Sequence, residues 1–207
     1  MIRKKIKRTV RISRYVLYKE TLVDYEEHVW SFIGAFVGIG VIAFFQSKML
    51  PYYENIFLIG SFGASSVLVY GSIQSPLAQP RNLVGGHLVS ALTGVTVYKI
   101  CPDIIWLTAP LAVSLAIVLM QITRTIHPPG GATALIVVIG SEKIKSLGYW
   151  YVVSPVLTGS FILLIVALIF NNMTSHRKYP TDKRLTNSVK KIFVKRSGLS
   201  SKIGSPE

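Results

Sequence analysis

The charged side chains of this 207-residue chain gather at its two ends and leave six long neutral stretches between them, a spacing that constrains the fold more than any motif. Glu27 to Lys48 encloses 20 residues without a formal charge, Glu54 to Arg81 26, Arg81 to Lys99 17, Asp103 to Arg124 20, Arg124 to Glu142 17 and Lys145 to Arg177 31. Crossing a hydrocarbon core of roughly 30 Å takes about 20 helical residues, so each stretch can hold a span. Half of the residues are hydrophobic and only 15% are charged, a departure from soluble chains in the same direction. The expectation is an all-α, polytopic membrane bundle with segments near 29–46, 56–72, 83–99, 104–121, 126–140 and 150–170.

Lysine and arginine set the expected topology. Residues 1–28 carry eight of them and residues 171–207 nine, so both ends belong on one face. With six segments that face collects 19 of the 23, Arg81 and Arg124 included, and the positive-inside rule makes it cytoplasmic, with the plasma membrane the expected site. Four spans with segments 2 and 5 re-entrant would also place both ends inside. The chain thus divides into a basic amphipathic segment (1–28), a transmembrane domain (29–170) and a basic tail (171–207) whose far end, 197–207, reads as disordered. Apolar residues at helical spacing in both tails (Ile2, Ile6, Val10, Leu17; Leu185, Val189, Ile192, Phe193) suit interfacial helices on anionic lipid. The net charge of +14 lies mostly in these tails and comes with no recognition motif, so no nucleic-acid partner is expected. The single cysteine, Cys101, excludes an intrachain disulfide and a cysteine metal site, and no cleavable signal is expected ahead of the first apolar stretch.

A shift of 68 residues lays Gly63-Ala64-Ser65-Ser66-Val67-Leu68-Val69 on Gly131-Ala132-Thr133-Ala134-Leu135-Ile136-Val137, and Val89-Ser90-Ala91 on Leu157-Thr158-Gly159. Two units of three segments each, an odd number, would be inverted relative to one another. Carriers use that arrangement to build a site where the repeats meet. Chance likeness between two helix starts rich in small residues is the plainer alternative.

Segments 2 and 5 are each interrupted, at Gly60-Ser61-Phe62-Gly63-Ala64-Ser65-Ser66 and His127-Pro128-Pro129-Gly130-Gly131-Ala132-Thr133. Proline biases the preceding residue to extended backbone and suits a first helical turn, so a helix is expected to begin near Gly130. Two half-helices that aim their positive ends at one pocket would hold an anion without a fixed charge. The expected site comprises Ser61, Gly63, Ala64, Ser65, Ser66, Gly130, Gly131, Ala132 and Thr133, whose amides and hydroxyls would be the donors. His87 and His127 would be auxiliary donors or proton carriers, and Arg81, Asn82 and Arg124 would line the approach. The bland readings stand beside these: small residues pack helices, as in Gly34-xxx-Gly38 and Gly86-xxx-Ser90-xxx-Gly94, and the two arginines anchor span ends.

The run His127-Pro128-Pro129-Gly130-Gly131-Ala132-Thr133-Ala134-Leu135 resembles the signature of the HPP family of integral membrane proteins. Gly60-Ser61-Phe62-Gly63-Ala64-Ser65 and Ser75-Pro76-Leu77-Ala78-Gln79-Pro80-Arg81-Asn82-Leu83-Val84-Gly85-Gly86-His87 resemble that family's other motifs in the same order, so the likeness covers about residues 29–170. Family members in plastids and cyanobacteria are nitrite transporters, so the resemblance implies a carrier of nitrite or a similar small anion. The family is usually described with four spans. No cofactor or enzymatic activity is expected, a homo-oligomer stays open, and a scaffold or regulator acting through the basic tails is the competing class.

Overall fold

The computed structural model describes residues 25–49, 59–174 and 177–181. The expected interfacial helices of both tails lie outside them. Among the described residues the chain is all-helical: α1 (Tyr25–Met49), α2 (Gly60–Ser66), α3 (Pro80–Ile100), α4 (Ile105–Ile122), α5 (Pro128–Ile139), α6 (Glu142–Ser146) and α7 (Thr158–Phe170). A π-helical turn, Val67–Gly71, prolongs α2, and another, Val152–Leu157, leads into α7. Four helical stretches are long and apolar enough to cross a membrane, Tyr25–Lys48, Pro80–Ile100, Ile105–Ile122 and Val152–Phe170, and each falls within a few residues of an expected segment.

Segments 2 and 5 are the short ones. Gly60–Gly71 and Pro128–Ile139 are 12 residues each, about 18 Å, too little to cross alone. Gly60–Ser66, expected to interrupt segment 2, is itself helical, and the helix of segment 5 starts earlier than expected. His127 is extended (φ −138°, ψ 105°) as expected, but the helix opens on Pro128 rather than Gly130, because proline at the first position needs no amide partner. A third interruption was not anticipated: Ser154 (φ −138°, ψ 122°) breaks the entry to α7, where the following Pro155 disfavours helical backbone.

Contacts give the helix directions. At one end of the bundle the start of α1, the start of α3, the finish of α4 and the finish of α7 come together. Arg81 of α3 donates to Thr123 O after α4 (2.9 Å), and Asn171 after α7 donates to Val69 O at the finish of α2 (2.8 Å). Lys99 and Tyr98 of α3 meet Tyr149 and Lys145 at the opposite end, where Trp106 and Trp150 face outward as interfacial anchors. The half-helix α5 runs alongside α3 in the same direction, since Gly86 faces His127 and Gly94 faces Ala134. In the same way α2 follows α7, with Phe62 at Gly159 and the Tyr70 hydroxyl donating to Leu163 O (3.0 Å). Helices α3 and α7 are antiparallel, so α2 and α5 run apart from their starts in opposite directions.

Small residues permit this packing. A Cβ added at Gly94 would stand 2.6 Å from Ala134 O, and one at Gly86 2.8 Å from Thr125 O, so α3 lies with its backbone almost against α5. Gly34 and Gly38 of α1 likewise make the slot for the Tyr70 ring. In lipid, where burial of apolar surface does not drive association, such close backbone approach is what dispersion requires.

Residues 177–181, assigned to the tail from sequence, fold back over the end of the bundle. The buried Arg177 guanidinium donates to Glu27 Oε2 (2.6 Å), Tyr70 O (2.8 Å) and Asn171 Oδ1 (2.9 Å). Tyr179 donates to Ala78 O (2.8 Å), and burial pushes its phenol pKa up, which keeps it a donor.

Candidate functional site

Where the two half-helices meet, four polar side chains form one buried chain of hydrogen bonds. Ser65 of α2 places Oγ 2.8 Å from His87 Nε2 and 2.9 Å from His127 Nε2. The other nitrogen of His87 lies 2.7 Å from Thr133 Oγ1, and that of His127 2.9 Å from Leu77 O. All four are fully buried, and the imidazole rings stand edge to face, 5.0 Å between centroids. Phe62 covers His87 from the α2 side (5.4 Å), seated in the notch left by Gly159.

Each side chain is delivered by a local feature of the sequence. His87 lies seven residues after the start of α3, about 10 Å into a helix about 31 Å long. His127 is itself the extended residue before Pro128, and its Cβ lies where a side chain at Gly86 would stand, so only glycine there leaves it room. Ser65 and Thr133 are the pair that the 68-residue shift equates, and they bind the two nitrogens of the same histidine. Buried polar groups are rarely left unpaired, and here each imidazole nitrogen has a partner. Ser61 and Ser66 are exceptions on the same half-helix: both hydroxyls are buried without a hydrogen-bond partner among the described residues.

The other expected site residues are distributed differently. Arg81 and Asn82 brace the loop before α5 through Thr123 O (2.9 Å) and Ile126 O (2.6 Å), at the end of the bundle. Arg124 is exposed and takes a left-handed backbone (φ 56°) in the same loop. Gly63 and Ala64 face outward. Gly130 packs against Ser90, Met120 and Gly86, whereas a Cβ at Gly131 would approach Val113 of α4 at 3.8 Å; Ala132 is half-buried. Peptide amides contribute less than expected, because Pro128 and Pro129 have none and Gly130 N donates to His127 O (2.8 Å). Side chains therefore dominate the polarity of this site. Leu77, whose carbonyl terminates the chain, and Phe62, its apolar wall, went unremarked among the expected site residues; the signal available for Leu77 was its position in the Ser75–His87 motif. Among the described residues no group of three or more His, Cys, Asp or Glu side chains is placed to hold a metal ion.

The transmembrane region of the HPP family matches residues 20–180, which contain the whole bundle. The chain belongs to the HPP family. It is 49% identical over 162 residues to one transmembrane protein of Dictyostelium discoideum and 44% identical over 160 residues to another. Each alignment covers 76% of this chain, but only 51% and 56% of the relatives, so the chain spans about half the length of the curated relatives it matches. No solved structure matches the chain. Within this HPP protein the histidine of the His-Pro-Pro motif is the side chain that joins the two half-helices, through Ser65.

Proposed function

We propose that this protein is a secondary carrier or facilitator for a small monovalent anion, with nitrite the favoured substrate. The observation that carries the reading is the junction of Ser65, His87, His127 and Thr133, a donor-rich and fully buried cluster where two broken helices meet. Polar groups inside an apolar bundle are costly, and in carriers they mark the binding site. The nitrite assignment follows the likeness to family members that transport it. The reading includes two inverted units, segments 1–3 and 4–6, because α2 and α5 point away from the junction in opposite directions and Ser65 and Thr133 are related by the shift. Both termini are assigned to the cytoplasm and the chain to the plasma membrane, the end bearing Arg81, Arg124 and Arg177 being the basic one. Anionic lipid at that face is the expected partner of the basic tails.

The test is flux of nitrite, nitrate, formate, chloride and bicarbonate into liposomes holding the purified protein. Thr133→Val keeps the shape of the side chain but removes the hydroxyl from His87, a loss of about 1–3 kcal/mol if the nitrogen stays unpaired. Nitrite flux is expected to fall at least about tenfold, which corresponds to 1.4 kcal/mol, while elution in detergent stays that of the wild type. Unchanged flux would remove this cluster from the pathway. Gly131, by contrast, points at α4, so a bulky residue there tests packing more than the site.

A chain ending at residue 181 separates the carrier from a regulator working through its tail. It keeps Arg177, Tyr179 and Thr181, whose amide donates to Gln79 Oε1 (2.8 Å), and is expected to retain wild-type flux. Loss of flux with intact folding would favour the regulator.

A further inference from the structure

We propose that the anion is bound together with one proton, held on His127, so that each transport step moves no net charge. This rests on the carrier reading above and names the form in which that site takes its substrate.

The argument is an accounting of hydrogens. A carbonyl oxygen only accepts, so His127 Nδ1, 2.9 Å from Leu77 O, carries a hydrogen. In a neutral His127, Nε2 then has a lone pair and accepts from the Ser65 hydroxyl. Ser65 has only one hydrogen to give, so His87 Nε2 donates to Ser65 Oγ, and His87 Nδ1 accepts from Thr133 Oγ1. That arrangement satisfies all four imidazole nitrogens and is uncharged.

Ser65 has a second acceptor in reach, Ser61 O at 2.9 Å. When a proton arrives on His127 Nε2, the Ser65 hydrogen turns to Ser61 O, and Ser65 Oγ accepts from both imidazoles with its two lone pairs. His127 then donates to Leu77 O and Ser65 Oγ, so the same atoms accommodate the imidazolium without moving. On release the proton leaves Nε2 and the hydroxyl turns back. The cluster thus has two satisfied states that differ by one proton.

The charged state lacks only a counter-charge. Around the pair, the segment before α7 offers the phenol of Tyr151, which donates to Thr133 O (3.1 Å), and the π-helical turn after α2 offers Tyr70, whose hydroxyl donates to Leu163 O. Tyr179 sits on Ala78 O beside Leu77, and Arg81 of α3 and Arg124 stand at the end of the bundle. The carboxylates on the described residues, Glu26, Glu27, Asp103 and Glu142, all lie at helix ends. A second proton on His87 would put two like charges on buried rings 5.0 Å apart, which disfavours double charging. One proton and one monovalent anion make the loaded site neutral.

The experiment measures nitrite accumulation in proteoliposomes under two separate driving forces. With the potential clamped at zero by potassium and valinomycin, a tenfold inward proton gradient is expected to give about tenfold accumulation, as 1:1 coupling requires. With pH equal on both sides, a potential of 100 mV is expected to leave accumulation unchanged, whereas a charge-moving carrier would respond about fifty-fold. Accumulation that follows the potential and ignores the proton gradient overturns this proposal and leaves the carrier standing. Absence of flux for every anion tested, in monodisperse folded protein, overturns the carrier reading as well. Ser65→Ala adds a check that packing alone would not pass: the initial rate of proton-driven uptake is expected to fall at least about tenfold more than the rate of anion exchange at equal pH.

Discussion

Replacing Gly94 with leucine is expected to abolish monodisperse protein in detergent, and even alanine there should lower the thermal midpoint. An added Cβ would lie 2.6 Å from Ala134 O and 2.8 Å from Ala134 Cα, both backbone atoms of α5, so no side chain can rotate aside. Overpacking of this kind costs about 1–3 kcal/mol for small additions, and it outweighs the gain of about 1 kcal/mol in helix propensity that alanine brings. The consequence extends to the candidate site, because the α3–α5 contact carries His87 and Thr133 on its two sides. Gly63 is the internal control: nothing lies within 4 Å of its Cβ position, and Gly63→Ala is expected to melt no lower than the wild type. Equal midpoints for Gly94→Leu and wild type would refute the close packing of these helices.

Arg177→Ala is expected to destabilise the bundle by about 1–3 kcal/mol, the range for leaving buried hydrogen-bond acceptors without their donor. The change strands the Glu27 carboxylate, and it also leaves Tyr70 O and Asn171 Oδ1 without the guanidinium that donates to them. Burial lowers the Arg177 pKa and the Glu27 charge opposes that, but a guanidinium stays protonated in either setting. Glu27→Gln should cost less, since Glu27 is partly exposed and glutamine can still accept from Arg177. Thermal unfolding followed by size-exclusion chromatography distinguishes the two variants, and equal midpoints for Arg177→Ala and wild type would contradict the buried pair.

Much of the architecture was legible in the spacing of charges, because a helix that crosses lipid cannot carry them cheaply, and α1, α3, α4 and α7 appear where the neutral stretches lie. His87, His127, Ser65 and Thr133 were legible for the same reason: polar groups stand out against an apolar run. Their mutual bonding was not, since Ser65 and His127 are 62 residues apart and hydrogen-bond geometry has no sequence period. The sequence also limits what peptide amides supply at α5, since Pro128 and Pro129 at its start bring no N–H. Pro155 similarly announced a break that the apolar run around it concealed. Arg177 reads like every other basic residue after Phe170. Only the fold distinguishes it, by closing Glu27, Tyr70 and Asn171 around it.

That closure has a bearing on biogenesis. Only 17% of the most apolar window of α1 is buried in the bundle, and one of the contacts that hold this helix reaches from Glu27 across 150 residues to Arg177. A ribosome delivers α1 to the bilayer long before it makes the arginine that fastens it. Until then this contact cannot form, which places it among the last contacts the bundle can make.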